Sequence, residues 1–309
     1  MLVELAIGDA YGAGFEFADP SVVLAHNDPS NGYRPHPKGT IAPGKYTDDT
    51  QMTVGLVLYM TRKLTSTLDL ADMFVQVFKR NPRQGYSQGF FDILRRVKNG
   101  TELLRAVDPM SVRSGGAMRA APCGLLPDLE GAVDLAMWQA SLTHATRDGM
   151  NAAGATAAMV WACRHDCELD YLPMLLSDLF PSYLWDKTPA AVPNLGYDVA
   201  QAVCYVLSQG GTMTDLLTRS VALTGDVDTV AALVMAAASL HPRVEQDLPQ
   251  VLFDTLENGP FGRGYLQGLD KVLMDSFPLP VTPAQYFDPT EISPEETPEL
   301  DPLSFLFDV

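Results

Sequence analysis

The segment Val230–Leu240 reads VAALVMAAASL and has no polar face at helical spacing. A helix that is apolar on every side is stable only when surrounded, so the chain must pack other helices around this one. The patterning elsewhere supplies them. Thr50–Leu64 places Met52, Leu56, Tyr59, Met60 and Leu64 three and four residues apart. Ala71–Arg80 and Gly131–Leu142 are amphipathic in the same way, and Tyr197–Leu207 continues the pattern. Asn151–Cys163 (NAAGATAAMVWAC) is rich in small residues, which permits close helix–helix approach. Thr214–Leu223 has Thr214 as its expected N-cap and Gly225 as its stop. Val22–Leu24 is a short strand candidate, but no alternating series of strands follows it. The expectation is an all-α domain over residues 1–277. Three long loops rich in Pro and Gly are candidates to shape a ligand site: Asn27–Tyr46, Pro181–Gly196 and Asn258–Gly268.

Composition narrows the function classes. The 309 residues carry a formal net charge of −17, which argues against a partner gripped through its phosphates by a broad basic surface, as in DNA or RNA binding. Part of that charge is local. Residues 281–309 contain seven acidic residues and no Lys or Arg. Residues 278–309 therefore read as an acidic, proline-rich tail, with an apolar end at Leu303–Phe307 suited to docking on the body or on a partner. No apolar run reaches eighteen residues, so no membrane-spanning helix is expected. The start, MLVELAIGDAYG, has no basic stretch of the kind a secretory signal needs. Four cysteines (Cys123, Cys163, Cys167 and Cys204) are too few for a disulfide framework in a chain of this length. The pair Cys163 and Cys167 around His165 lacks the second pair that structural zinc requires. Free thiols point to a reducing, cytoplasmic compartment.

Two clusters stand out, Thr47-Asp48-Asp49-Thr50 and Asp226-Val227-Asp228-Thr229. Each precedes a helical run, so each sits at a helix N-terminus, where carboxylates are favoured. Either cluster alone is explained by helix capping. Together they offer four carboxylates with adjacent hydroxyls, a hard oxygen ligand set suited to Mg²⁺ or Mn²⁺. Spacing alone leaves capping and metal ligation equally open.

Longer motifs separate them. Gly8-Asp9-Ala10-Tyr11-Gly12 is followed by Phe15-Glu16-Phe17, then Tyr46–Met52, and much later Gly225–Ala231. Between them lie Ser111–Pro122 (SVRSGGAMRAAP) and Thr143-His144. In this order the motifs resemble those of the ADP-ribosylglycohydrolase family over residues 5–240. The resemblance implies an all-α orthogonal fold and a centre of two Mg²⁺ or Mn²⁺ ions. It implies metal ligands at Thr47, Asp48, Asp49, Asp226, Asp228 and Thr229, with catalytic roles for Glu16, Asp48 and Asp49. It also implies a phosphate-binding loop built from Ser111, Arg113, Ser114, Gly115, Gly116 and Met118, and places His144 on the adenosine side. Thr224 stands where the family has Gly, Val227 where it has Thr, and Arg113 and Ser114 where it has Gly and Asn.

Cleavage of a C1″ glycosidic bond develops oxocarbenium-like charge and needs an activated water and help for the leaving group. A water beside divalent cations has a lowered pKa, and Asp49 or Glu16 is placed to take its proton. A guanidine leaves readily once protonated, which favours ADP-ribosyl-arginine. Hydrolysis of another ADP-ribosyl linkage (to serine, a nucleobase or a small molecule) is the alternative within the enzyme class. A non-catalytic ADP-ribose binder, or an immunity protein opposing a partner toxin or modifying transferase, is the alternative outside it. His26, His36, His165 and His241 match no motif and are expected on the surface or in loops. Phe90-Phe91 and Tyr183–Trp185 are expected near loops and more often serve packing than ligand stacking.

Overall fold

The structure is a computed structural model that describes residues 1–279. In chain order its α-helices are α1 (Leu2–Ala13), α2 (Pro20–His26), α3 (Asp48–Thr61), α4 (Thr67–Arg80), α5 (Gln88–Arg96), α6 (Gly100–Ala106) and α7 (Leu129–His144). They continue as α8 (Arg147–Arg164), α9 (Leu172–Leu179), α10 (Gly196–Ser208), α11 (Met213–Ala222), α12 (Val227–Ala238), α13 (Gln250–Thr255) and α14 (Arg263–Ser276). Short 3-10 helices occur at Ser114–Gly116 and Ala121–Leu125. Only isolated β-bridges, and no sheet, are present among the described residues.

The apolar segment behaves as its composition requires. Every residue of α12 is buried, and α1, α8, α10 and α11 pack around it. The contact with α1 is a close one. A Cβ built on Gly8 would lie 2.3 Å from the Ala231 carbonyl oxygen, and one on Gly12 would lie 2.4 Å from the Asp228 Cα. Two glycines four residues apart on one face let the backbones touch, as small residues do at tight helix crossings. Asp9 lies between them in the chain and is fully buried.

Several sequence expectations need correction. Val22–Leu24 is not a strand but part of α2, started by Asp19, whose carboxylate accepts the Ser21 N–H at 2.8 Å, and by Pro20 at the first helical position. The cap of α11 is Thr212 rather than Thr214, because Thr212 and Asp215 form a reciprocal capping box. The Thr214 N–H goes instead to Asp247 at 2.8 Å. The loop Asn258–Gly268 is interrupted at Arg263 by the start of α14. His36 and His241 lie in loops, as expected, and are buried there. The four cysteines are free. No helix among the described residues is long and apolar enough to cross a membrane. The acidic tail, with Leu303–Phe307, lies outside the described residues except for its first two.

Candidate active site

The α1 crossing fixes where the two aspartate clusters meet. Asp9 on α1 accepts the Thr47 N–H at 2.9–3.0 Å, the Thr50 N–H at 3.0 Å and the Thr50 hydroxyl at 2.5 Å. It thus serves the free N–H groups of the first turn of α3 from a neighbouring helix. Thr47 is the N-cap of α3, and its hydroxyl accepts the Asp49 N–H at 3.3 Å. The Asp48 N–H donates to the Gln84 carbonyl at 3.0 Å. Gly85, at φ +107°, leaves room for the Asp48 carboxylate; a Cβ there would lie 1.9 Å from Oδ1.

The second cluster is held from the other side. Thr224 and Gly225 both adopt positive φ, +62° and +93°. The Val192 N–H bonds to Thr224 O, and the Asp226 N–H bonds to Val192 O, each at 2.9 Å. The turn is thereby stitched to the loop before α10, and α12 starts with Asp226 as its N-cap. Thr224 adopts a left-handed geometry that glycine would take more easily, so the turn carries backbone strain at this position.

The two helix starts face a cavity of about 360 Å³. Of the candidate residues, all but Thr47 and Gly116 line it. Thr47 is fully buried beneath Asp49, and Gly116 lies behind Gly115 against the His144 ring. One carboxylate oxygen each from Glu16, Asp226 and Asp228 falls within 4.8 Å of the others. Asp49 Oδ1, Asp226 Oδ2 and Asp228 Oδ1 are buried with no hydrogen-bond partner. Buried carboxylate oxygens without partners are costly, and a divalent cation satisfies them. The donor set therefore fits the metal centre that the resemblance implies. Burial, reinforced by like-charged neighbours, pushes the pKa of Asp48, Asp49 and Asp228 well above the usual carboxylate range. Burial likewise raises Asp226 to about 6.

The Ser114–Gly116 loop is anchored from α7. Arg119 donates to the Gly115 carbonyl at 2.7 Å, to Gln139 Oε1 at 2.6 Å and to the Thr143 hydroxyl at 2.8 Å. Gln139 donates to the Gly116 carbonyl at 2.8 Å. Burial lowers the Arg119 pKa only to about 10, so the side chain remains charged and is engaged with the loop. Met118 is buried on the cavity wall, and Ser111 accepts the Arg113 N–H on its hydroxyl at 3.2 Å. Arg113 is exposed at the cavity edge. His144 ends α7 and bonds through Nδ1 to the Thr143 hydroxyl at 2.6 Å. Burial pushes its pKa down to about 3, so it is neutral at pH 7.

Sequence reasoning did not select Asp9, His36, Tyr86 or Asn194. Tyr86, Phe90 and Ile93 form an apolar wall, and Asn194 closes the rim. Asp9 had a signal, an acid inside an apolar run. His36, whose Nε2 lies 2.8 Å from Glu16 Oε2, had none. Phe91 packs on Phe78 instead, and Trp185 is buried away from the cavity.

The all-α fold thus brings an acidic centre to converging helix starts, the arrangement that the motif resemblance implies. A family model described as ADP-ribosylglycohydrolase matches residues 1–280, and the chain belongs to this family. It is 30% identical over 165 residues to ADP-ribosylhydrolase ARH3 of Mus musculus, an alignment covering 48% of this chain and 43% of that protein. The Bos taurus protein of the same name is 30% identical over 163 residues, covering 48% of this chain and 44% of the relative. The chain thus matches less than half the length of these curated relatives. A solved structure described as an ADP-ribosylglycohydrolase-related protein complex superposes with a TM-score of 0.70 at 19% identity. That superposition covers 89% of this chain and 95% of the other, and it shows the shared all-α fold.

Proposed function

We propose that the protein is a metal-dependent hydrolase that releases ADP-ribose from a modified side chain by cleaving the C1″ glycosidic bond. The observation that carries this reading is the set of three buried, unpartnered carboxylate oxygens, on Asp49, Asp226 and Asp228, at two helix starts facing one cavity. Asp48, Asp49, Asp226 and Asp228, with Thr47 and Thr229, would hold two Mg²⁺ or Mn²⁺ ions. Such ions supply Lewis-acid polarisation of a water and of the substrate's ribose hydroxyls.

The chain's own groups do the rest. Glu16, at the cavity edge and only partly buried, accepts the proton of the attacking water, with Asp49 as the second candidate base. The Ser111–Met118 loop takes the pyrophosphate, and the exposed Arg113 guanidinium adds a cation to an otherwise acidic site. Neutral His144 contributes packing and a hydrogen-bonding ring on the adenosine side, and no charge. The apolar wall of Tyr86, Phe90 and Ile93 excludes water.

Arginine is the leading acceptor. Its guanidinium is attracted by the acidic centre, and when the C1″–N bond breaks it takes the bonding electron pair and departs as a neutral guanidine. A transferase, or a toxin with transferase activity, supplies such a substrate. ADP-ribose release from ADP-ribosyl-arginine and ADP-ribosyl-serine proteins, with Mg²⁺, tests this directly. Release from the arginine substrate is expected. Release from serine alone moves the reading to the other linkage. Calorimetric binding of ADP-ribose without release from either substrate makes the protein a binder.

A further inference from the structure

Glu16 has an unusual partner. Its Oε2 lies 2.8 Å from Nε2 of His36, and the histidine is buried. The other ring nitrogen is already committed: Nδ1 accepts the Lys38 backbone N–H at 3.0 Å and lies 3.3 Å from the Thr40 hydroxyl. A nitrogen that accepts a backbone N–H carries no proton of its own, so the ring proton is assigned to Nε2, facing Glu16. The ring is fixed by a tight turn in which the Gly39 N–H bonds to His36 O at 2.7 Å, with Gly39 at φ +67°. The His36 N–H is held by Ile41 O at 3.1 Å.

The other neighbours of Glu16 would not hold it there. Asp226 and Asp228 each bring a carboxylate oxygen within 4.8 Å of it, and like charges at that range repel. Its backbone is tied down next door, where the Phe17 N–H bonds to Gly225 O at 2.9 Å and Phe17 sits at φ +49°. The backbone is therefore anchored to the Asp226 turn, and His36 holds the carboxylate.

We propose that His36 is a positioning residue. Through its Nε2–H it holds Glu16 Oε2 and presents the remaining carboxylate oxygen to the cavity, with the Lys38 N–H selecting the tautomer. This rests on the hydrolase reading above for its effect on turnover, and on geometry alone for the pair itself.

The test has two arms. In the first, His36→Phe keeps an aromatic ring without the donor, and His36→Gln restores an N–H at similar reach. His36→Phe is expected to lower kcat about 10- to 100-fold with KM little changed, the signature of a misplaced catalytic group. His36→Gln is expected to recover most of that loss. Wild-type kcat in His36→Phe, or a loss confined to KM, overturns the proposal. The second arm does not depend on turnover or on the folding of His36 variants. Histidine-¹⁵N NMR of the wild-type protein should show His36 as the Nε2–H tautomer, with a shift that moves in Glu16→Ala. An Nδ1–H tautomer, or a signal indifferent to Glu16→Ala, overturns it. If the wild-type protein releases no ADP-ribose from any substrate, the hydrolase reading fails, and the NMR arm alone decides the pair.

Discussion

Gly12 lies directly against Asp228: a methyl group on Gly12 would come within 2.4 Å of the Asp228 Cα. This contact seats the start of α12 directly against α1. Asp9, three residues earlier on α1, holds the start of α3. One helix therefore registers both halves of the acidic centre.

Gly12→Ala should consequently damage fold and site together. The clash is with backbone, which cannot rotate away, so a loss of about 1–3 kcal/mol or more is expected. Gly268→Ala, where nothing lies within 4 Å of the added Cβ, serves as the control and should be neutral or slightly stabilising. Chemical denaturation of the two variants checks this.

Asp9→Ala removes the acceptor for two backbone N–H groups and a hydroxyl at the start of α3. Loss of that cap in a buried setting should cost about 2–4 kcal/mol. Asp9→Asn, which keeps an accepting oxygen, should cost less. Thermal melts of both variants rank them.

How much was legible beforehand follows from how far apart the partners lie in the chain. The apolar run of α12 and the two aspartate clusters are local signals, readable from residues within a turn or two of one another. The role of Asp9 is not local: its partners Thr47 and Thr50 lie 38 and 41 residues away. His36 sits in a Pro-Gly loop that matches no motif, 20 residues from Glu16. The strand candidate at Val22–Leu24 is helical because three apolar residues carry little information against an Asp-Pro helix start. Thr224 was visible as a departure from the family glycine, but its left-handed backbone was visible only in three dimensions.

Thr224→Gly should relieve that backbone conformation. A gain of about 1 kcal/mol is expected, offset in part by the greater freedom of glycine in the unfolded chain. The melting temperature should rise by a degree or two with no change in cation binding.

The acidic centre makes the metal-free protein sensitive to pH in a defined direction. Burial lifts Asp226 to about 6 and Asp48, Asp49 and Asp228 well above their ordinary value of 3.8. An acid whose pKa is raised by folding contributes stability below its unfolded pKa and loses it as pH rises through the folded value. The metal-free protein should therefore lose stability from about pH 4 through pH 6 and beyond. Mg²⁺ should remove most of this loss, since the cation takes the place of the protons. Asp228→Asn should flatten the same profile without metal. Melting temperatures at pH 5 and pH 7.5, with and without Mg²⁺, read out the sign.

Mn²⁺ titration followed by electron paramagnetic resonance tests most directly whether the four aspartates form one dinuclear cation site. The wild-type protein should bind two Mn²⁺ per chain with a spin-coupled signal. Asp228→Ala should lose the coupled pair and, in the same preparation, lose ADP-ribose release on the order of 10³-fold with its fold retained. No bound Mn²⁺ in the wild-type protein, or full release by a folded Asp228→Ala protein, would contradict it.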